Sequence, residues 1–146
     1  MLKTQPADPP LPTLSDAARR FLQEPRFASI ATLNPDGSAL QAVIWYRLDG
    51  DEIVFNSRVG RQWPTNLMRD PRVSVMVADG YDYVEMRGRV DIDLDPVRGL
   101  AVISDLTRRY QQTPAKAEAQ IAAFAKESRV TFSLRPSKIF ERLPGR

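Results

Sequence analysis

The stretch IVFNSRVGRQWPTNLMRDPRVSVMV, residues 53–77, decides the fold. It opens with a β-branched and aromatic run, Ile53 to Ser57, which predicts the end of a strand beginning at Glu52. A turn carrying Arg58 and Arg61 follows, then a short helix from about Pro64 to Arg69, with Pro64 in the first turn where its missing N–H costs nothing. Asp70-Pro71-Arg72 opens a second strand. Val73 to Ala78 is nearly all apolar and predicts a central strand buried on both faces. Two guanidinium groups at a strand-to-helix turn suit an anion. Helix-start N–H groups point outward and the helix dipole adds positive potential, while the guanidinium fork matches phosphate or carboxylate oxygens. The same pair also reads as two solvated arginines capping a turn, and spacing leaves both readings open. Gln62, Thr65 and Asn66 can donate further hydrogen bonds there, or serve as caps.

On the N-terminal side, residues 1–13 hold Pro6, Pro9, Pro10 and Pro12 and read as a proline-rich arm, extended or lying across a partner. Residues 14–146 read as one domain. Ser15 and Asp16 offer a helix cap, with Leu14, Ala17, Ala18, Phe21 and Leu22 at helical spacing, and Pro25 ends that helix. A strand from Arg26 to Leu33 runs into the turn Asn34-Pro35-Asp36-Gly37. A second strand spans about Ser38 to Leu48, and Asp49-Gly50-Asp51 returns the chain into the strand before Arg58. Two tight turns in succession predict an antiparallel meander.

On the C-terminal side, Asp79-Gly80 turns into a long strand from Tyr81 to Asp93, with Gly88 read as a bulge. Asp95 caps a helix whose first residue is Pro96 and which runs to about Arg109. A second helix covers Pro114 to Ala125. A final strand, Arg129 to Leu143, is interrupted at Arg135-Pro136-Ser137. The total is about six mostly antiparallel strands with helices after the third and fifth, a pattern that favours a barrel.

Composition narrows the chemistry. The chain has 146 residues, 42% of them hydrophobic, and 21 basic against 18 acidic residues for a net charge of +3. That excess is too small to indicate nucleic acid and fits a small anionic ligand in a local basic cluster. There is no Cys and no His, so disulfides, thiolate nucleophiles, imidazole acid–base catalysis, His-ligated haem and the common zinc sites are excluded. Asp79, Asp82 and Glu85 form no metal set. No apolar h-region opens the chain and no apolar run approaches the ~18 residues of a membrane span, so a cytoplasmic location is expected.

The aromatic residues mark candidate surfaces. Trp45 and Tyr46 are neighbours on a strand, so their rings point to opposite faces, one to the core and one to a groove or partner. Trp63 stands among polar residues, where it either meets a ligand or a subunit or joins the core. Tyr81 and Tyr83 flank a turn on one side, either edging a flat ligand or closing the barrel end.

Together, Ile30-Ala31-Thr32-Leu33 with Asp36-Gly37, Ala42-Val43-Ile44-Trp45-Tyr46, Gly60-Arg61-Gln62 and Asn66-Leu67-Met68-Arg69-Asp70-Pro71-Arg72-Val73-Ser74 resemble the pyridoxamine 5'-phosphate oxidase-like split β-barrel flavoproteins. Within that family the likeness is to the small flavin- or deazaflavin-dependent oxidoreductases, and it runs from about Ser15 to Leu143. The resemblance implies a six-stranded antiparallel split β-barrel with flanking helices, of the FMN-binding split-barrel type. It implies a homodimer with F420, or alternatively FMN, at the subunit interface, and a small-molecule substrate. It places Arg58, Arg61 and Gln62 at the cofactor phosphate, with Trp63 and Asn66 in the same turn and helix. Asn56 and Ser57 would lie near the ring edge, Val43 and Trp45 along the ring, and Tyr83, with Tyr81, would approach from the partner chain. No metal, nucleic acid or membrane is implied, and no catalytic side chain, because such a cofactor supplies the hydride itself. A flavin- or tetrapyrrole-binding protein without turnover is the alternative on the same fold. One position departs from the family pattern: where relatives often carry a phosphate-binding Lys, this chain has Trp63, followed by Pro64.

Overall fold

The computed structural model describes residues 10–144, so most of the proline-rich arm lies outside the described residues. The element order is α1 (Asp16–Gln23), β1 (Ala28–Leu33), β2 (Ala39–Ile44), β3 (Arg47–Asp49), β4 (Glu52–Arg58), α2 (Gln62–Arg69), β5 (Arg72–Asp79), β6 (Asp82–Asp93), α3 (Pro96–Tyr110), α4 (Pro114–Phe124), β7 (Arg129–Leu134) and β8 (Lys138–Arg142). The strands curl into a half-barrel in the order β2-β1-β5-β6-β7-β4-β3, with β8 added on β6, and every pairing is antiparallel.

There are eight strands rather than six, because two predicted strands each divide. The one predicted over 38–48 breaks at Trp45-Tyr46. Its first half, β2, pairs with β1, and its second half, β3, pairs with β4. The expected meander is therefore two separate hairpins, and β2 does not pair with β4. The last strand breaks at Arg135-Pro136-Ser137, where the chain leaves β7, paired with β4 and β6, and returns as β8 on the earlier part of β6.

The twelve-residue β6 joins the two halves. Residues 82–89 pair with β5, and Val90 to Asp93 pair with β7. Gly88 sits at the changeover in regular register opposite Val73, so it is not the predicted bulge. A Cβ there would meet Leu134 Cδ1 at 3.1 Å, the Arg135 carbonyl at 3.2 Å and the Ser137 amide at 3.3 Å. Glycine suits this position because the β7–β8 connection crosses close over the strand, and a side chain would press against it.

The core fills the concave side with Ile30, Tyr46, Phe55, Leu67, Val75, Met86 and Phe132, all buried. The expectation that β5 is buried on both faces is not met: Val73, Val75 and Val77 point inward, while Met76 and Ala78 are exposed on the outer face. The period-2 spacing of those valines is that of a strand with one covered face, and among the described residues the other face is left largely exposed.

α1 is held at both ends. Ser15 Oγ accepts from the Ala18 amide at 3.0 Å. At the C-terminus, Arg109 donates to the carbonyls of Leu22, Gln23 and Glu24, satisfying acceptors that have no partner inside the helix. α2 begins two residues earlier than predicted and is fastened by Asn66, which is fully buried. Asn66 Nδ2 donates to Thr32 Oγ1 (3.1 Å) and Asn34 Oδ1 (3.0 Å). Its Oδ1 accepts from Gln62 Nε2 (2.9 Å) and Arg69 Nη1 (3.2 Å). Truncating it leaves several buried polar groups unpaired, so Asn66→Ala is expected to lower unfolding free energy by about 2–4 kcal/mol, read by urea denaturation with an unchanged m-value.

Tyr46 supplies a pH signature. Its ring is fully buried, and its hydroxyl donates to the Leu22 carbonyl at 2.9 Å. Burial, with Tyr110 beside it, raises the phenol from 10.0 to about 12. The raised value means the neutral phenol's contribution is complete below about pH 10 and is lost as pH climbs through about 12. The loss amounts to roughly 2–3 kcal/mol. In Tyr46→Phe, this component of the stability–pH curve is expected to vanish between those limits.

Candidate functional site

The division of the predicted second strand creates the site. β3 pairs with β4 only as far as Val54, so from Phe55 to Arg58 β4 is hydrogen-bonded on one side alone, to β7. β2 is paired on one side alone, to β1. Two strand edges with free backbone N–H and C=O groups flank a slot. A cavity of about 320 Å³ occupies it. Val43, Ile44 and Trp45 line it from the β2 side, Asn56 and Ser57 from β4, and Arg61 and Trp63 from the start of α2.

Five of its other walls come from residues that carry no motif: Ile103 and Leu106 on α3, Gln120 and Phe124 on α4, and Arg129 at the start of β7. The helices read only as amphipathic, and Arg129 only as the first residue of a strand. Strand register was the missing information, for it sets Arg129 directly opposite Arg58. No pattern within either strand announces that pairing.

Aromatic packing shapes one wall. Trp45 stacks on Tyr110 with centroids 5.3 Å apart and planes 5° apart, and Tyr110 stacks on Phe27 at 5.7 Å. The single Tyr110 hydroxyl proton is shared between the carbonyls of Arg26 (2.7 Å) and Tyr46 (3.1 Å). Trp45 is thus a braced plate along the slot, while its neighbour Tyr46 is core. Trp63 is only 8% exposed and packs against Phe55 (5.9 Å) and Phe132 (5.7 Å). Trp63 thus extends the core into an aromatic floor under the slot.

The polar groups divide into committed and uncommitted sets. Asn56 is committed: its Nδ2 donates to the Gly99 carbonyl at 2.9 Å and its Oδ1 accepts from Arg129 Nε at 3.1 Å. Gln62 and Asn66 bond to each other and lie away from the cavity. Tyr83 stands on the outer sheet face opposite Ala78 and Arg142, and Tyr81 is exposed at the adjoining turn; neither reaches the slot from its own chain. The uncommitted set is small. Arg58 and Arg61 are exposed, and among the described residues their side chains make no hydrogen bond or ion pair. Ser57 is 2% exposed, yet its Oγ has no partner. A buried hydroxyl left unpaired on the slot wall, beside free strand edges and free guanidinium groups, fits an anionic ligand with polar ring atoms.

A larger, shallower hollow of about 880 Å³ lies between β3 and α3. Its charges are spent internally: Arg47 pairs with Asp49 and Asp105, and Arg108 with Glu118. Among the described residues, no group of three or more acidic side chains can hold a metal ion, and no helix is long and apolar enough to cross a membrane.

Comparison with known proteins adds three findings. Residues 14–141 match the family described as Pyridoxamine 5'-phosphate oxidase. No curated protein matches the chain. Among solved structures, an F420 reductase is 28% identical with a TM-score of 0.70, over 88% of this chain and 100% of that one. A conserved hypothetical protein from Mycobacterium tuberculosis is 24% identical with a TM-score of 0.73, over 94% and 88% of the two chains. The haem storage protein HutZ from Vibrio cholerae shares the fold at 16% identity and a TM-score of 0.68, over 88% and 94%.

The unpaired hydroxyls give a direct check on this geometry. Thr131 is 1% exposed and its Oγ1 also lacks a partner. Replacing it by an isosteric methyl removes a desolvation cost, so Thr131→Val is expected to stabilise the protein by about 1 kcal/mol in urea unfolding. Ser57→Ala is expected to be neutral or stabilising in the free protein and to weaken whatever fills the slot.

Proposed function

The chain belongs to the pyridoxamine 5'-phosphate oxidase family, and we propose that within it the protein is an oxidoreductase using the deazaflavin F420, with hydride passing between the reduced cofactor and a small organic substrate. One observation carries this reading: a slot between two unpaired strand edges ends at guanidinium groups that have no partner among the described residues. A flat ring with polar edges and a phosphate needs those two features. The 28% identity to an F420 reductase spanning that whole chain supports the choice of F420. FMN is the second reading, because it presents the same ring edge and phosphate and the family name is that of a flavin-type oxidase.

When bound, the cofactor supplies a hydride donor or acceptor that the side chains lack. The protein's residues do the rest. Arg61 and Arg58 hold the phosphate, aided by the start of α2, whose N-cap Arg61 makes no side-chain cap bond. Ser57 Oγ and the free edge of β4 take the polar ring edge. Trp45, braced by Tyr110, and Val43 would hold the ring from the β2 side, and Trp63 closes the floor. Ile103, Leu106 and Phe124 exclude water from one side and orient an apolar part of the substrate. No carboxylate lines the slot among the described residues, so solvent provides or accepts the proton.

We place a second copy of this chain on the outer sheet face. Val43, Met76 and Phe140 are exposed there in one cross-strand row with Ser29 and Glu85. A partner covering that row would bring Tyr81 and Tyr83 toward the slot, in a protein acting in the cytoplasm. Light scattering after size exclusion is expected to give twice the 16.5 kDa chain mass; a monomer at micromolar concentration would remove this part of the reading.

Tryptophan quenching tests the cofactor, since Trp45 and Trp63 both line the slot. F420 is expected to quench and bind more tightly than FMN, and Arg61→Gln to weaken binding about ten- to hundredfold. Tight FMN binding without F420 binding selects the second reading, and binding of neither rejects both.

A further inference from the structure

We propose that Arg129 is a phosphate-binding residue, a third guanidinium that with Arg58 and Arg61 makes a three-arginine cradle and lets the slot select phosphorylated ligands over their phosphate-free forms. The ligand class, a phosphate-bearing flavin or deazaflavin, rests on the reading above; the residue and its role come from the following geometry.

Arg129 stands opposite Arg58 in the β4–β7 register. Like charges directly opposite on antiparallel strands repel, and Arg61 lies three residues further along the same turn. Near this rung the one carboxylate on Arg129 is Glu127, at 2.7 Å from Nη1. Three cations against one anion leave an excess that a phosphate would balance.

The Arg129 side chain is only 8% exposed, an unusual place for a guanidinium with one anionic partner. It is held rather than free. Nε donates to Asn56 Oδ1 at 3.1 Å, Nη1 to Glu127, and Phe124 packs 4.6 Å from its centre. Asn56 is itself fixed by its bond to the Gly99 carbonyl. Among the described residues Nη2 has no partner, and the residue lines the slot. A preorganised fork with one arm unspent suits a phosphate oxygen, and little rotamer entropy remains to be lost on binding. Burial, with the nearby positive charges of Arg61 and Arg58, pulls the guanidinium's pKa down despite Glu127, in keeping with a cation that lacks its full complement of counter-charge. Asn56 thereby becomes a positioning residue for Arg129, since both ends of its amide are spent within the protein.

The test compares each cofactor with its phosphate-free chromophore: FMN with riboflavin, and F420 with the deazaflavin lacking the phosphate and its tail. In Arg129→Gln, affinity for FMN and F420 is expected to fall about ten- to hundredfold, while riboflavin and the phosphate-free deazaflavin change by less than about twofold. Arg129→Lys, which keeps the charge but loses the fork, is expected to recover part of the phosphate-dependent affinity. An equal loss for phosphorylated and phosphate-free ligands would reduce Arg129 to a structural role, and no loss for either would also overturn the proposal. If the wild type binds no flavin or deazaflavin, the cofactor reading fails separately. Inorganic phosphate then decides for Arg129: binding by the wild type, measured by calorimetry at low salt and lost in Arg129→Gln, supports it, and the absence of binding or its persistence in the variant overturns it.

Discussion

The passage of the chain from Ile44 to Arg47 is the constraint on which the rest of the structure depends. Two strand edges can remain unpaired only if the backbone between them is prevented from zipping into one continuous strand. Tyr46 prevents it. Its ring is fully buried, its hydroxyl bonds the end of α1, its amide and carbonyl meet the Tyr110 hydroxyl at 3.3 and 3.1 Å, and Arg109 lies 5.4 Å from the ring centre. Arg109 in turn gathers the last carbonyls of α1. α1, the crossing and the end of α3 are therefore one unit, and the slot's width is set by that unit.

From this follows a site whose polar capacity is deliberately unequal. On the sheet interior and under α2, Asn66, Gln62 and Thr32 satisfy one another. Along the slot, Ser57 Oγ, the free edge of β4 and the side chains of Arg58 and Arg61 are without partners among the described residues. Unsatisfied buried polar groups and facing like charges both cost stability. Ser57 Oγ, the open edge of β4 and the facing arginines bring such costs together beside the slot, and on the proposed reading this chain, which has neither His nor Cys, would position and neutralise a ligand that carries the reactive atoms itself.

Much was legible in the chain itself. The turn signals at Asn34–Gly37 and Asp49–Asp51, the caps Ser15 and Asp95 and the prolines at 25, 96 and 114 mark element ends through backbone sterics that act within a few residues. The local positive charge of the Arg58–Arg61 turn was legible because both arginines stand within four residues of one another. The strand count was not, because the breaks at Trp45-Tyr46 and Arg135–Ser137 arise from a change of partner strand rather than from any local breaker in the first case. Gly88 looked like a bulge because a glycine in a strand shows only that space is short, not what fills it; the crossing segment from Leu134 to Ser137 fills it. Trp63 sat among polar neighbours in sequence yet lies against Phe55 and Phe132 in space.

The sequence by itself determined the local pieces: which residues form strands and helices, where they stop, and that one turn concentrates positive charge. Those properties depend on dihedral preferences and short-range hydrogen bonds, which neighbours along the chain decide. Only the tertiary structure decided that two strand edges stay open, that Arg129 faces Arg58 across a sheet, and that Asn56 serves Arg129 rather than facing the slot unbound. Pairing register and the burial of a charge are properties of residues far apart in the chain, and a single sequence carries no period or spacing that records them.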